Sequence, residues 1–223
     1  MSGPGLSPDV RARVLAAAAA RPVAPRAVGS RRRASAGIAG AIAWGLAGLV
    51  ALRPGPAGRP AGLFVASSIA WLACGLLATW AAVSRGRSML GHPRGLRVAV
   101  ALCTPVMLLC TAVVVTLAFP PAAPEPSPFP THLVCFFGTL LFALGPLVAF
   151  GYLWRESDPV SPGRTGAALG AAAGAWGAFG IVLHCGRTAF EHVALGHVLP
   201  VAVLAAAGAL LGRVVLAVRA RAG

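Results

Sequence analysis

The sequence predicts an all-α, polytopic membrane protein with six transmembrane helices and both termini in the cytoplasm. Three observations lead there. Of 223 residues, 57% are hydrophobic and only 11% charged, and the mean hydropathy is +0.80; soluble domains carry about 25% charged residues. Six apolar stretches are each long enough to cross a hydrocarbon core of ~30 Å, which takes ~20 helical residues at a rise of ~1.5 Å. The basic residues, all nineteen of them arginine, are divided unevenly between alternate loops. The formal net charge of +14 therefore has a topological origin, because cytoplasmic loops retain arginine and lysine. No direct nucleic-acid binding is expected.

Residues 1–33 form a cytoplasmic segment. Within "LSPDVRARVLAAAAARP", Ser7 caps a short helix, Pro8 takes its first position, Asp9 lies in its first turn and Arg21-Pro22 stops it. Val10 and Val14, with Ala17 and Ala18, make a narrow apolar stripe. Such a short helix is marginal alone and is expected to order against a partner, through Val10 and Val14, or against the anionic membrane surface.

Residues 34–216 hold the spans: Ala34 to Leu52, Ala61 to Val83, Val98 to Phe119, Leu133 to Leu153, Thr165 to Cys185 and Val193 to Leu216. The first is rich in Ala and Gly. The arginine-bearing stretch before it and the lack of a small-residue cleavage site after it favour a retained span over a signal sequence. Pro105, Pro146 and Pro200 lie inside spans three, four and six, where a kink is expected. Gly166, Gly170 and Gly174 in span five recur at four-residue intervals and leave one face flat for a neighbouring helix. Residues 217–223 form a cytoplasmic tail.

Orientation follows from arginine. The first segment, the second and fourth loops and the tail carry sixteen, against three in the first, third and fifth loops, which places both termini inside the inner membrane's cytoplasmic face. The third loop, "PPAAPEPSPFPTH", has six prolines and is expected to be extended, either as a plain connector or as a cover over the outer end of the bundle. In the fourth loop, Glu156 and Asp158 are two of only five acidic residues; they either pair with a basic partner or simply form an Asp-Pro turn.

This topology gives an address to "VLHCGRTAFEH". Cys185 ends span five on the outer side, and Cys135 begins span four on the same side. If the two spans are antiparallel neighbours, the sulfurs lie at similar depth, in a compartment that permits oxidation. A disulfide would need Cα atoms ~4.4–6.8 Å apart. His132, His184 and His192 gather at the same boundary, so His132, Cys135, His184, Cys185 and His192 form a candidate metal set of the N and S donors that thiophilic ions favour. Adjacent helical residues diverge by about 100°, so at most one of His184 and Cys185 is expected as a ligand. The alternative is that His184, His192 and His197 are interfacial residues and the two cysteines are unrelated. Cys74, Cys103 and Cys110 fall inside spans two and three and are expected to be apolar packing residues.

The run "CFFGTLLFALGPLVAFGYLWRESDPVSPGRTGAALGAAAGAWGAFGIVLHC", continued to "GALLG", resembles the NrsF-like family of six-span bacterial membrane anti-sigma factors. The likeness rests on the cysteine opening span four, Pro146, the loop with Arg155, Pro159 and Gly163, the glycine-rich span five closed by His184-Cys185, and the late glycines of span six. It departs where "HVALGHVLP" stands in place of an aromatic Trp-Tyr element. The resemblance implies that cytoplasmic segments sequester an extracytoplasmic-function sigma factor and that a periplasmic signal at Cys135 and Cys185 releases it. No resident cofactor is implied, only a thiophilic metal ion as a transient signal.

Other classes fit less well. No Asp, Glu or Arg lies deep in a span, as ion-coupled carriers require. The sequence lacks Cys-x-x-Cys, His-Glu-x-x-His, Gly-x-Ser-x-Gly and a phosphate-binding glycine loop. A periplasm-facing thiol oxidoreductase using Cys135 and Cys185 is the remaining enzymatic alternative.

Overall fold

The computed structural model describes residues 26–52, 61–83, 94–118, 129–155 and 160–217, together with Asp9, Ala12 and Ala16, which are helical and exposed. Val10, Val14, Glu156 and Asp158 lie outside the described residues. From residue 26 on, the described residues form six helices: α1 Arg26–Leu52, α2 Ala61–Val83, α3 Arg94–Ala118, α4 Phe129–Leu153, α5 Pro162–Val182 and α6 Phe190–Val215. The described residues contain no strand. Five helices, α2 to α6, are long and apolar enough to cross a membrane, and α1 contains a shorter apolar stretch, Ser35–Gly48.

Five of the six helices begin three to eight residues earlier than expected, and α5 ends three residues earlier. α1 begins at Arg26, eight residues before the expected Ala34, because arginine is a good helix former and no proline interrupts the run. α5 ends at Val182, so Cys185 sits in the connection beyond it. α3 and α4 stay helical through Pro105 and Pro146.

α5 is the axis of the bundle. In its apolar window 89% of residues are buried inside the protein, against 22–39% for the other four candidate spans. The cause is composition: an Ala- and Gly-rich helix is thin enough for α2, α3, α4 and α6 to close around it. The outer helices turn their large side chains outward instead. Val50, Leu117, Val134 and Tyr152 are at least 70% exposed, an apolar exterior suited to lipid.

The closest packing is between α5 and α6. A Cβ at Gly166 would fall on the Gly208 carbonyl and 2.8 Å from the Gly212 Cα; at Gly170 it would meet the Leu204 carbonyl, and at Gly174 the Val201 Cα at 2.9 Å. Gly208 meets the Gly166 carbonyl in return. Backbone thus lies on backbone along both helices, an approach open only to glycine. Some polar groups inside the bundle pair with one another: Trp176 Nε1 on α5 donates to Thr79 Oγ1 on α2 at 2.9 Å, and that hydroxyl donates to the Gly75 carbonyl at 2.7 Å. Thr104 on α3 likewise bonds back to the Val100 carbonyl at 2.6 Å.

Candidate thiol and imidazole site

Three pieces of chain meet where α4 begins, α5 ends and α6 starts. α4 carries His132 and Cys135 one turn apart, both buried. Past α5, the amide of Cys185 still donates to the Ile181 carbonyl at 2.8 Å, a last helical turn that holds the thiol against the bundle. α6 opens with four residues of α-helix, Phe190–Val193, and then widens into a π-helical turn, Ala194–Val198, before continuing as α-helix from Leu199.

That wide turn decides which histidines meet. Five residues of α-helix would put His192 and His197 roughly 140° apart. An i→i+5 turn returns the chain to the same face after five residues. Both imidazoles are fully buried, with ring centroids 5.4 Å apart. Pro200 has no N–H to offer the carbonyl of Gly196, one turn before it. The Thr139 hydroxyl, 2.9 Å from that carbonyl and 2.9 Å from the Cys135 carbonyl, reaches across from α4 and ties the π-turn to the cysteine helix. Gly196 itself must stay small, since a Cβ there would stand 3.0 Å from the Cys135 Cβ and 3.8 Å from His192 Nε2.

The result is a compact set of donors. Cys135 Sγ lies 3.7 Å from Cys185 Sγ, and Cys185 Sγ lies 3.2 Å from His192 Nε2. Ligand atoms of Cys135, Cys185, His192 and His197 all fall within 4.8 Å of one another. A tetrahedral centre with metal–sulfur bonds of ~2.3 Å separates its sulfurs by about 3.8 Å, which is the spacing found here. A disulfide would need the sulfurs to close to ~2.05 Å. The Cys185 thiol is pushed well below its usual range, first by the hydrogen bond from the Cys135 thiol and further by His192 and His197, against the opposing effect of burial.

The expected residues are therefore divided. Cys135, Cys185 and His192 come together, and His197 joins them although spacing alone put it elsewhere. His184 does not: its Nδ1 lies 2.8 Å from its own helix's Gly180 carbonyl and its ring stacks on Phe142, with centroids 5.2 Å apart. His132 stands behind the site, its ring 5.1 Å from that of His192. The edge of Trp71 closes the other side against His197. Of the remaining cysteines, only Cys74 is buried; Cys103 and Cys110 are exposed on α3 and so face outward rather than pack.

A family model described as negative regulator of sigma F, NrsF, matches residues 15–217. The chain belongs to the NrsF family. No curated protein and no solved structure shows a significant match. Membership makes this NrsF-family chain a negative regulator of a sigma factor by the description of its family. The match covers α1 to α6, so the N and S donor cluster lies within the family's own region.

Proposed function

We propose that the protein holds an extracytoplasmic-function sigma factor at the cytoplasmic face of the inner membrane, and that a thiophilic metal ion or an oxidant acting on Cys135 and Cys185 from the periplasm releases it. α1 acts as the sixth span, and both termini face the cytoplasm. The observation that carries this reading is the donor cluster itself, drawn from three segments at one end of the bundle.

Metal capture adds covalent ties between α4 and the α5–α6 pair, which already meet there through the Thr139 bridge, Phe142 against Gly180 and His184, and Gly138 against Ile181. Deprotonated Cys135 and Cys185 with neutral His192 and His197 supply two S and two N donors, the set suited to zinc-like ions. A two-electron oxidant instead removes both thiol protons and draws the sulfurs together. Either event shifts α4, whose far end leads into the loop that carries Glu156 and Asp158. Those carboxylates and the Val10–Val14 stripe are the contacts we assign to the sigma factor. Gly166, Gly170 and Gly174 keep α5 and α6 moving as one body. Nucleic acid is touched only by the released partner.

A disulfide-exchanging oxidoreductase is the weaker reading. Its attacking thiol must be reachable by a second protein, and Cys135 and Cys185 are only 7% and 9% exposed.

The test is co-purification of the detergent-extracted protein with its cell's sigma factors, in wild type, Cys135→Ser and Cys185→Ser, with and without Zn²⁺, Cd²⁺ or a thiol oxidant. One sigma factor is expected to be retained by all three and released by treatment from wild type alone. Release from the double variant Cys135→Ser/Cys185→Ser at the same dose would remove the cysteines from the signal path.

A further inference from the structure

The opposite end of the bundle holds a second site of different chemistry. A cavity of about 580 Å³ opens between the start of α3, the start of α5 and the end of α6. Its inner wall is apolar, made by Val98, Leu102, Ala167 and Ala209; its rim carries Ser161, Arg164 and Arg213. A third guanidinium reaches the rim, because Arg97 Nη1 donates to Ser161 Oγ at 3.2 Å.

Arg213 lies against the start of α5. Its Nε lies 3.3 Å and its Cγ 3.4 Å from where a Cβ of Gly163 would be, so its charge rests on the first turn of α5. A helix N-terminus is the positive pole of its dipole and leaves N–H groups unpaired along the helix. Ser161, at the cap position, makes no side-chain capping bond. Two arginines on the rim, a third bonded to it and a helix N-terminus therefore converge, and none of the described residues lining the cavity is acidic. An anion complements that convergence of positive groups. The apolar wall, running from the rim towards the middle of the helices, suits a hydrocarbon chain attached to it.

We propose that this groove binds the phosphate of an anionic phospholipid, with Arg164, Arg213 and the first turn of α5 on the headgroup and an acyl chain along Val98, Leu102, Ala167 and Ala209. Basic clefts between membrane helices recognise anionic lipid in this way, and each arginine contributes about fivefold in affinity.

The experiment is native mass spectrometry of the full chain in detergent, titrated with phosphatidylglycerol, with phosphatidylcholine, and with phosphatidylglycerol in the presence of inorganic phosphate. The expected result is a retained phosphatidylglycerol at least fivefold preferred over phosphatidylcholine. Arg164→Gln/Arg213→Gln is expected to lower that affinity roughly 25-fold, while Arg164→Lys/Arg213→Lys keeps most of it and shows that the fold is intact. Equal binding of the two lipids, or undiminished binding by the Gln variant, would overturn the proposal. Complete displacement by millimolar phosphate would also overturn it, by showing a site for a free anion rather than a lipid.

Discussion

Cys135 and Cys185 were legible as a pair because each stands at a span boundary on the same side; neither needed the fold to be noticed. His197 was not, since only the π-turn brings it beside His192. His184 was misleading for the converse reason: sequence shows its adjacency to Cys185 but not the hydrogen bond that turns its Nδ1 back to the Gly180 carbonyl. The two histidines make a discriminating pair of substitutions. His197→Ala is expected to weaken Cd²⁺ or Zn²⁺ binding by at least the roughly 10- to 100-fold that even an outer partner costs, whereas His184→Ala leaves it within about threefold. Isothermal titration of the detergent-solubilised protein measures both. Equal losses would mean that the spatial grouping of donors does not decide affinity.

At the scale of the helices, the long apolar runs marked where helices form to within eight residues, five of them long and apolar enough to cross a membrane, and the four-residue glycine spacing marked a flat face on α5. What that face lies against was not readable, because Gly208 and Gly212 on α6 look no different from the many other glycines of the chain. The Thr79–Trp176 bond between α2 and α5 was equally hidden, as nothing in the spacing of two residues 97 positions apart signals it. Gly170→Ala places a methyl on the Leu204 carbonyl and 2.9 Å from its carbon, and backbone cannot rotate aside. A loss of ~1–3 kcal/mol is expected, read as a lower aggregation temperature in detergent. The same substitution at Gly45, whose added Cβ meets nothing within 4 Å, is expected to be neutral or slightly stabilising through helix propensity. If both behave alike, the close α5–α6 approach does not hold in the membrane.

For the molecule as a whole, arginine does what a core cannot. Five helices expose Leu, Val and Phe all round the bundle, so apolar surface alone gives no up or down; the sixteen-to-three division of arginine is the feature that predicts one. Reporter fusions at residue 1 and after residue 223 are both expected to read cytoplasmic, and one inserted after Glu125 periplasmic. A periplasmic terminus would put the thiols on the cytoplasmic side and undo the proposed route of the signal. The same arginines define the two ends chemically: sulfur and imidazole at one, guanidinium at the other, with α5 between them.

The π-turn of α6 also says something about how the site could have arisen. An i→i+5 turn accommodates one residue more than an α-turn between the same flanking helices, so the segment has the form of a single-residue insertion absorbed where it occurred. Removing Leu195, whose side chain is 44% exposed, would let α6 close into unbroken α-helix while Gly208 and Gly212 keep their seat against Gly166. The deletion variant is expected to melt no lower than wild type in detergent and to lose the His197 contribution to metal binding. On that view one added codon is what brought His197 beside His192, at some expense to the helix.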